Sequence, residues 1–290
     1  MKKYFDDPRL LRFPPHATGY SQRRAWVLAT LCRLAYLDAG PERVAGLAEA
    51  GFIETADFDV RTEDVHTQGY LAEGPDYDVL VFRGTEPGEL RDWITDIDLA
   101  ARDLGSGVRA HNGFSSAYDS VKGAVADALR ARKRPFYVTG HSLGGALAVL
   151  ACFHIDAEPE TRRRLAACYT FGCPRVGNFD FLVRLYKFAL YQVVDGDDVV
   201  PHMPPRFFSQ YGDSGDIRRL FVTRHGVVAV KGWGQDVFQR VRTWFWRQLS
   251  NLVFWVTYIP MSGRVMRWAP DALVSDHFIE RYIERLKKLA

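Results

Sequence analysis

Between Phe136 and Leu150 an apolar run, Phe136-Tyr137-Val138-Thr139, enters the turn Gly140-His141-Ser142-Leu143-Gly144. It leaves directly into Ala146-Leu147-Ala148-Val149-Leu150. Strand, Gly-x-Ser-x-Gly turn and helix in that order describe a nucleophile elbow, in which a serine is held in a strained backbone conformation above the edge of a sheet. Gly140 and Gly144 fit because a Cβ at either position would clash with the neighbouring strand or helix. The amide of Leu143, at the helix N-terminus, is then aimed where an oxyanion would form. Such a five-residue pattern arises by chance in roughly one chain in ten of this length, so the strand–turn–helix context carries the reading.

The elbow needs a parallel sheet around it, and the rest of the chain supplies the pattern. Helical periodicity runs from Ser21 to Leu37, with a buried strand at 77–82, a helix from Gly113 to Leu129 and a strand at 166–171. A helix around 179–187, a strand at 190–194, a hairpin at 220–222 and 227–230, and a helix from Asp276 to Leu289 follow. Strands alternating with helices predict a three-layer α/β fold with a mostly parallel central sheet. The proline- and charge-rich residues 1–19 are expected to form an N-terminal arm, and residues 20–290 a single domain. A net charge of +3 over 290 residues is too small to suggest a nucleic-acid partner. Cys32, Cys152, Cys168 and Cys173 lie in apolar or tightly turned segments without paired spacing and read as buried free thiols. Basic Lys2 and Lys3 are not followed by an apolar core, and no segment has the apolar length of a membrane span. A cytoplasmic location is the resulting expectation.

A serine hydroxyl becomes a nucleophile when a histidine takes its proton and a carboxylate holds that imidazole. In this fold the chain order is serine, acid, histidine. For the acid, Asp195, Asp197 and Asp198 compete after the strand 190–194. Asp198 is best placed, because Val199-Val200-Pro201 behind it would fix its loop, yet each could be a turn residue. Of eight histidines, His16, His66 and His111 precede the serine. His141 points away from the serine in an elbow, His154 lies on the helix behind it, and His202 follows the acid too closely. His225 sits in a hairpin turn. His277 opens the final helix after a long connection and can reach back over the sheet.

Collectively these motifs resemble the class 3 lipase family. The resemblance runs through Val81-Phe82-Arg83-Gly84-Thr85, Asp92-Trp93-Ile94-Thr95-Asp96 and His111-Asn112-Gly113-Phe114. It continues in Thr139 to Gly145, Thr170 to Asn178, Asp198-Val199-Val200-Pro201 and Asp276 to Tyr282. It implies an α/β-hydrolase fold and a Ser142–Asp198–His277 triad, with no metal and no cofactor. It also implies an oxyanion hole of Thr85 and Leu143, and a lid from Glu86 to Asp96 carrying Trp93. The implied activity is hydrolysis of lipid carboxylic esters by a triacylglycerol-lipase-like enzyme. A phospholipase or general carboxylesterase with the same triad is the alternative, and a catalytically silent binding module the remoter one. Cys173 departs from the family's usual polar residue.

The connection between Asp198 and His277 is longer than the family's by a helical segment at about 232–270. From Ile217 to Ala269 there are nine basic residues against one acid, together with five of the seven tryptophans. A basic amphipathic helix of this kind suits peripheral contact with a membrane or lipid-droplet surface. Packing on the core or on a second copy is the competing expectation.

Overall fold

The structure is a computed structural model that describes residues 3–11, 13–63, 65–86, 88–90, 93, 100–195, 198–204, 211, 218–223, 226–230 and 276–290. In chain order the elements are helices α1 (Gln22–Leu34) and α2 (Pro41–Ala48), then strands β1 (Ile53–Arg61), β2 (His66–Glu73) and β3 (Asp78–Phe82). The short hairpin β4 (Ala101–Asp103) and β5 (Arg109–His111) leads into α3 (Asn112–Arg130), β6 (Phe136–His141) and α4 (Leu143–Ile155). Next come α5 (Pro159–Arg164), β7 (Leu165–Phe171), α6 (Phe179–Leu185), β8 (Leu190–Asp195), β9 (Arg218–Thr223), β10 (Gly226–Val230) and α7 (Ile279–Leu289).

Eight strands form one sheet in the order β1-β2-β3-β6-β7-β8-β9-β10. β3, β6, β7, β8 and β9 pair in parallel, and antiparallel partners close both ends. β3 and β6 are buried along their whole length, which explains why both read as continuous apolar runs rather than alternations. α1 and α7 pack together over one face, with Trp26, Leu31, Tyr282 and Leu286 in that core. α3, α4 and α6 cover the other face around Phe114, Val125, Leu147 and Phe181. The sheet is thus the middle of three layers, as the alternation predicts. β1 escapes a periodicity reading because it is mostly solvent-facing, with only Phe58 fully buried. The 232–270 helical insertion lies outside the described residues.

The expected N-terminal arm is fastened down. Tyr4, Phe5 and Leu10 are buried in the α1 core. Tyrosines on three adjacent strands reach past the sheet to the arm's backbone: Tyr137 donates to the Pro15 carbonyl (3.0 Å), Tyr169 to Gly19 (3.3 Å) and Tyr191 to Thr18 (2.6 Å). Arg24 is buried beneath the arm, and no carboxylate among the described residues pairs with it. Its guanidinium donates to Gly19 O (2.7 Å) and Tyr169 Oη (3.2 Å) and lies 5.1 Å from the ring centres of Phe13 and Tyr137. Aromatic faces and carbonyl dipoles therefore replace part of the water that a buried cation loses. Tyr169→Phe removes acceptor and donor at once; it should destabilise the fold by about 1–3 kcal/mol in denaturant unfolding and speed proteolytic cleavage within residues 3–19.

Candidate active site

β6 ends at His141, α4 begins at Leu143, and Ser142 alone makes the turn, with φ 56° and ψ −130°. A non-glycine residue in this region is strained, and the surroundings hold it there. The Ser142 amide donates to Phe171 O of β7 (2.9 Å), and Gly145 N closes the turn on Ser142 O (2.9 Å). The helix can start this close to the sheet only because Gly144 lacks a side chain. A Cβ there would stand 2.3 Å from Phe82 O, at the end of β3.

Asp198 and His277 converge on this turn from two loops. The His277 Nδ1 lies 2.8 Å from Asp198 Oδ2 and 3.0 Å from Oδ1. Gly172, directly after β7, has φ +59°, and a Cβ on it would meet His277 Cε1 at 2.7 Å and Asp198 Oδ2 at 2.8 Å. The pair therefore sits on the bare backbone of Gly172, whose preceding residue holds the Ser142 amide. Ser142, Asp198 and His277 are each 1% exposed. Ser142 Oγ and His277 Nε2 make no hydrogen bond among the described residues, as does Thr85 Oγ1 nearby. Leu143, first residue of α4, has an amide with no intrahelical acceptor.

Burial alone would raise the Asp198 carboxyl. The adjacent His277, the Tyr282 hydroxyl donating to Oδ2 (2.5 Å) and the Val200 amide on Oδ1 (2.9 Å) outweigh it and hold the group below the ordinary carboxylate range. Asp198 is thereby kept as a carboxylate facing an imidazole N–H. Asp195 has a different task, buried in an ion pair with Arg285 while its amide donates to Tyr282 Oη. Asp197 lies outside the described residues. Of the competing aspartates that are described, the geometry brings Asp198 to the histidine.

His141 does point away from the serine, and it supports the base from behind. Its Nε2 is 2.6 Å from the backbone carbonyl of His277, and its Nδ1 is 2.7 Å from Tyr36 Oη. A carbonyl only accepts, so the proton sits on Nε2 and Nδ1 accepts from Tyr36. Burial, followed by the neighbouring His277, lowers the His141 pKa to about 3. The ring thus stays neutral beside His277, the candidate base. Tyr36 and Tyr282 are positions in contact with the candidate site that motif reading passes over. Tyr282 stands inside the Asp276–Tyr282 block, whereas Tyr36 follows α1, in sequence far from every motif.

Of the expected lid at 86–96, residues 86, 88–90 and 93 are described. Leu90 is buried against Val200 with Trp93 and Phe278 packed on them, and Trp93 stacks on Phe114 at 6.2 Å. His111, excluded as a base by chain order, caps α3 by accepting from Phe114 N (3.3 Å). His154 stacks on Tyr118 at 5.1 Å. Cys173 is buried with its Sγ on Pro174 O, and all four cysteines are free. Among the described residues no cluster of histidine, cysteine or carboxylate side chains could hold a metal ion.

A serine on a strained strand-to-helix turn, with a carboxylate–imidazole pair beside it on a mostly parallel sheet, defines the α/β-hydrolase class. Residues 79–208 match the model of the family described as Lipase (class 3). It is 38% identical over 130 residues to a secreted mono- and diacylglycerol lipase of Fusarium solani, covering 41% of this chain and 37% of that protein. A lipase of Caenorhabditis elegans is 34% identical over 210 residues, 66% of this chain and 58% of the relative. The triacylglyceride lipase structure of Rhizomucor miehei superposes with a TM-score of 0.59 at 26% identity, over 71% of this chain and 83% of that one. The similarity to the Fusarium protein and to a Rhizopus niveus lipase spans little more than a third of those relatives' lengths.

An unfolded histidine takes up its proton near pH 6.5, whereas His141 in the fold does so only near pH 3. Between those values the unfolded chain binds more protons, so stability falls as pH drops through that window. His141→Gln, which keeps an N–H donor and an acceptor without titrating, should show a smaller loss of melting temperature between pH 7.5 and 4.5 than the wild type does.

Proposed function

We propose that the chain hydrolyses carboxylic esters of lipids through an acyl-enzyme intermediate. The observation that carries this reading is the buried Asp198–His277 pair set against Ser142 on its strained turn. Ser142 Oγ attacks the ester carbonyl as its proton passes to His277 Nε2, the nitrogen that Asp198 leaves unoccupied. Asp198 stabilises the resulting imidazolium. The negative charge on the tetrahedral oxygen is met by the Leu143 and Thr85 amides, with the unpartnered Thr85 hydroxyl available as a further donor. His277 then protonates the departing alcohol, and in the second half-reaction it draws a proton from water that attacks the acyl carbon.

The match of residues 79–208 to the class 3 lipase family supports lipid esters as the substrate class, and the proposed machinery needs neither metal nor cofactor. We propose further that the protein works in the cytoplasm and approaches its substrate at a membrane or droplet surface, a setting in which the four free thiols would stay reduced. The aromatic and basic stretch at 232–270 supports surface contact by its composition.

A fluorophosphonate should label Ser142 stoichiometrically, and Ser142→Ala should lose both labelling and ester hydrolysis with an unchanged melting temperature. A folded wild-type sample that resists the label would refute the assignment. Asp198→Asn should lower kcat by about 10⁴-fold, the cost of the wrong imidazole tautomer. Asp195→Asn should instead reduce stability through the stranded Arg285, with a far smaller effect on kcat for each labelled site.

A further inference from the structure

Tyr36 precedes residues 79–208, the stretch that matches the lipase family, and its hydroxyl stands between two parts of the site that come from different elements. On one side it donates to His141 Nδ1 (2.7 Å), and His141 Nε2 in turn donates to the His277 carbonyl (2.6 Å). On the other side it meets Gly84, the residue before the candidate oxyanion donor Thr85. A Cβ on Gly84 would stand 2.5 Å from Tyr36 Oη, 2.5 Å from the His141 carbonyl and 2.9 Å from Ser142 Cβ. The Gly84 amide hydrogen-bonds the same phenol oxygen. One hydroxyl therefore joins the loop after β3 to the residue before the nucleophile, and through that residue to the main chain of the base.

The group that carries this hydroxyl is itself fixed. The Tyr36 amide closes the end of α1 on Arg33 O (3.2 Å), and α1 is fastened to β6 where Cys32 Sγ lies 3.3 Å from Thr139 Oγ1, two residues before His141. The Tyr36 ring stands edge-on to His141 at 5.9 Å between centres, with the Arg83 guanidinium 5.7 Å from its own centre. Burial pushes the ionisation of the hydroxyl above the ordinary tyrosine range, so the phenol keeps its proton and remains a donor. Without that donor, His141 Nδ1 is a buried lone pair with nothing to accept from. The imidazole can then move its proton to Nδ1, which turns a bare Nε2 lone pair on the His277 carbonyl. Two acceptors in that position repel, and the main chain of the base loses its tie.

We propose that Tyr36 is a positioning residue of the hydrolytic site, holding the Gly84–Thr85 loop and, through His141, the base His277 at a fixed spacing around Ser142. The proposal rests on the ester-hydrolase reading above. The test measures kcat and KM for p-nitrophenyl butyrate, per fluorophosphonate-labelled site, in wild type, Tyr36→Phe, His141→Gln and the double variant. Tyr36→Phe keeps the ring and removes only the hydroxyl. It should lower kcat roughly tenfold, the scale of one hydrogen bond, and leave KM unchanged. In the His141→Gln background, where an amide N–H needs no tautomer set, the same change should cost less than about twofold more. With 15N-labelled histidine, NMR should find the His141 proton on Nε2 in the wild type and on Nδ1 in Tyr36→Phe. A Tyr36→Phe variant that loses melting temperature alone, with kcat and tautomer unmoved, would make Tyr36 a packing residue and overturn the proposal. Losses that multiply in the double variant would overturn the route through His141. A folded wild type that neither takes the label nor hydrolyses the ester would instead overturn the ester-hydrolase reading, and the NMR arm would still show whether Tyr36 sets the His141 proton.

Discussion

The site depends on one backbone contact distance, the approach of α4 to the ends of β3 and β6. With Gly144 resting on Phe82 O, the helix begins within a residue of the sheet, and Ser142 is left to absorb the change of direction at positive φ. The strain belongs to the nucleophile itself, and its compensation is spread over hydrogen bonds from β7 and the first turn of α4. Once the serine is thrust out here, the base must come from a loop at the same edge of the sheet. Gly172, one strand over, provides the flat ground on which Asp198 and His277 meet.

Around that meeting point the polar groups are arranged so that a single charge can appear and vanish. Asp198 is held ionised by three donors, and its nearest aromatic neighbour, Tyr282, has its own ionisation pushed well above the ordinary tyrosine range by burial and then by the Asp198 charge. His141, the titratable ring nearest the base at 4.7 Å between centres, is kept neutral. Low dielectric makes each of these choices consequential, since a second cation here would oppose the imidazolium that the proposed mechanism needs. Tyr36 completes the set by fixing which nitrogen of His141 carries the proton.

How much of this was legible in the sequence follows from where each signal is stored. The elbow, the strand β3 and the acid–histidine order are written in short contiguous blocks, so the parallel core of the sheet could be read directly, whereas three aspartates competed for the acid and the family resemblance pointed to Asp198. β1 carries no such record, because a mostly exposed edge strand has little apolar alternation to show. The fastening of residues 3–19 was hidden for another reason: its tyrosines are spaced over β6, β7 and β8, and become a row only when those strands lie side by side. Tyr36 belongs to the same category. Its partner His141 is set by the packing of α1 against the end of β6, a long-range relation that local pattern does not contain.

The hydrogen bond from His141 to the His277 carbonyl ties the base's main chain to the residue immediately before the nucleophile. Serine and histidine are far apart along the polypeptide, yet they share an anchor one peptide unit from the reacting oxygen. The acid is independently anchored at the end of β8. Whatever length of chain runs from Asp198 to His277, its two ends are tethered locally, so the catalytic spacing is insulated from what is inserted between them. That insulation makes the connection a permissive site for elaboration, where sequence can be added or lost without recalibrating the spacing of the pair.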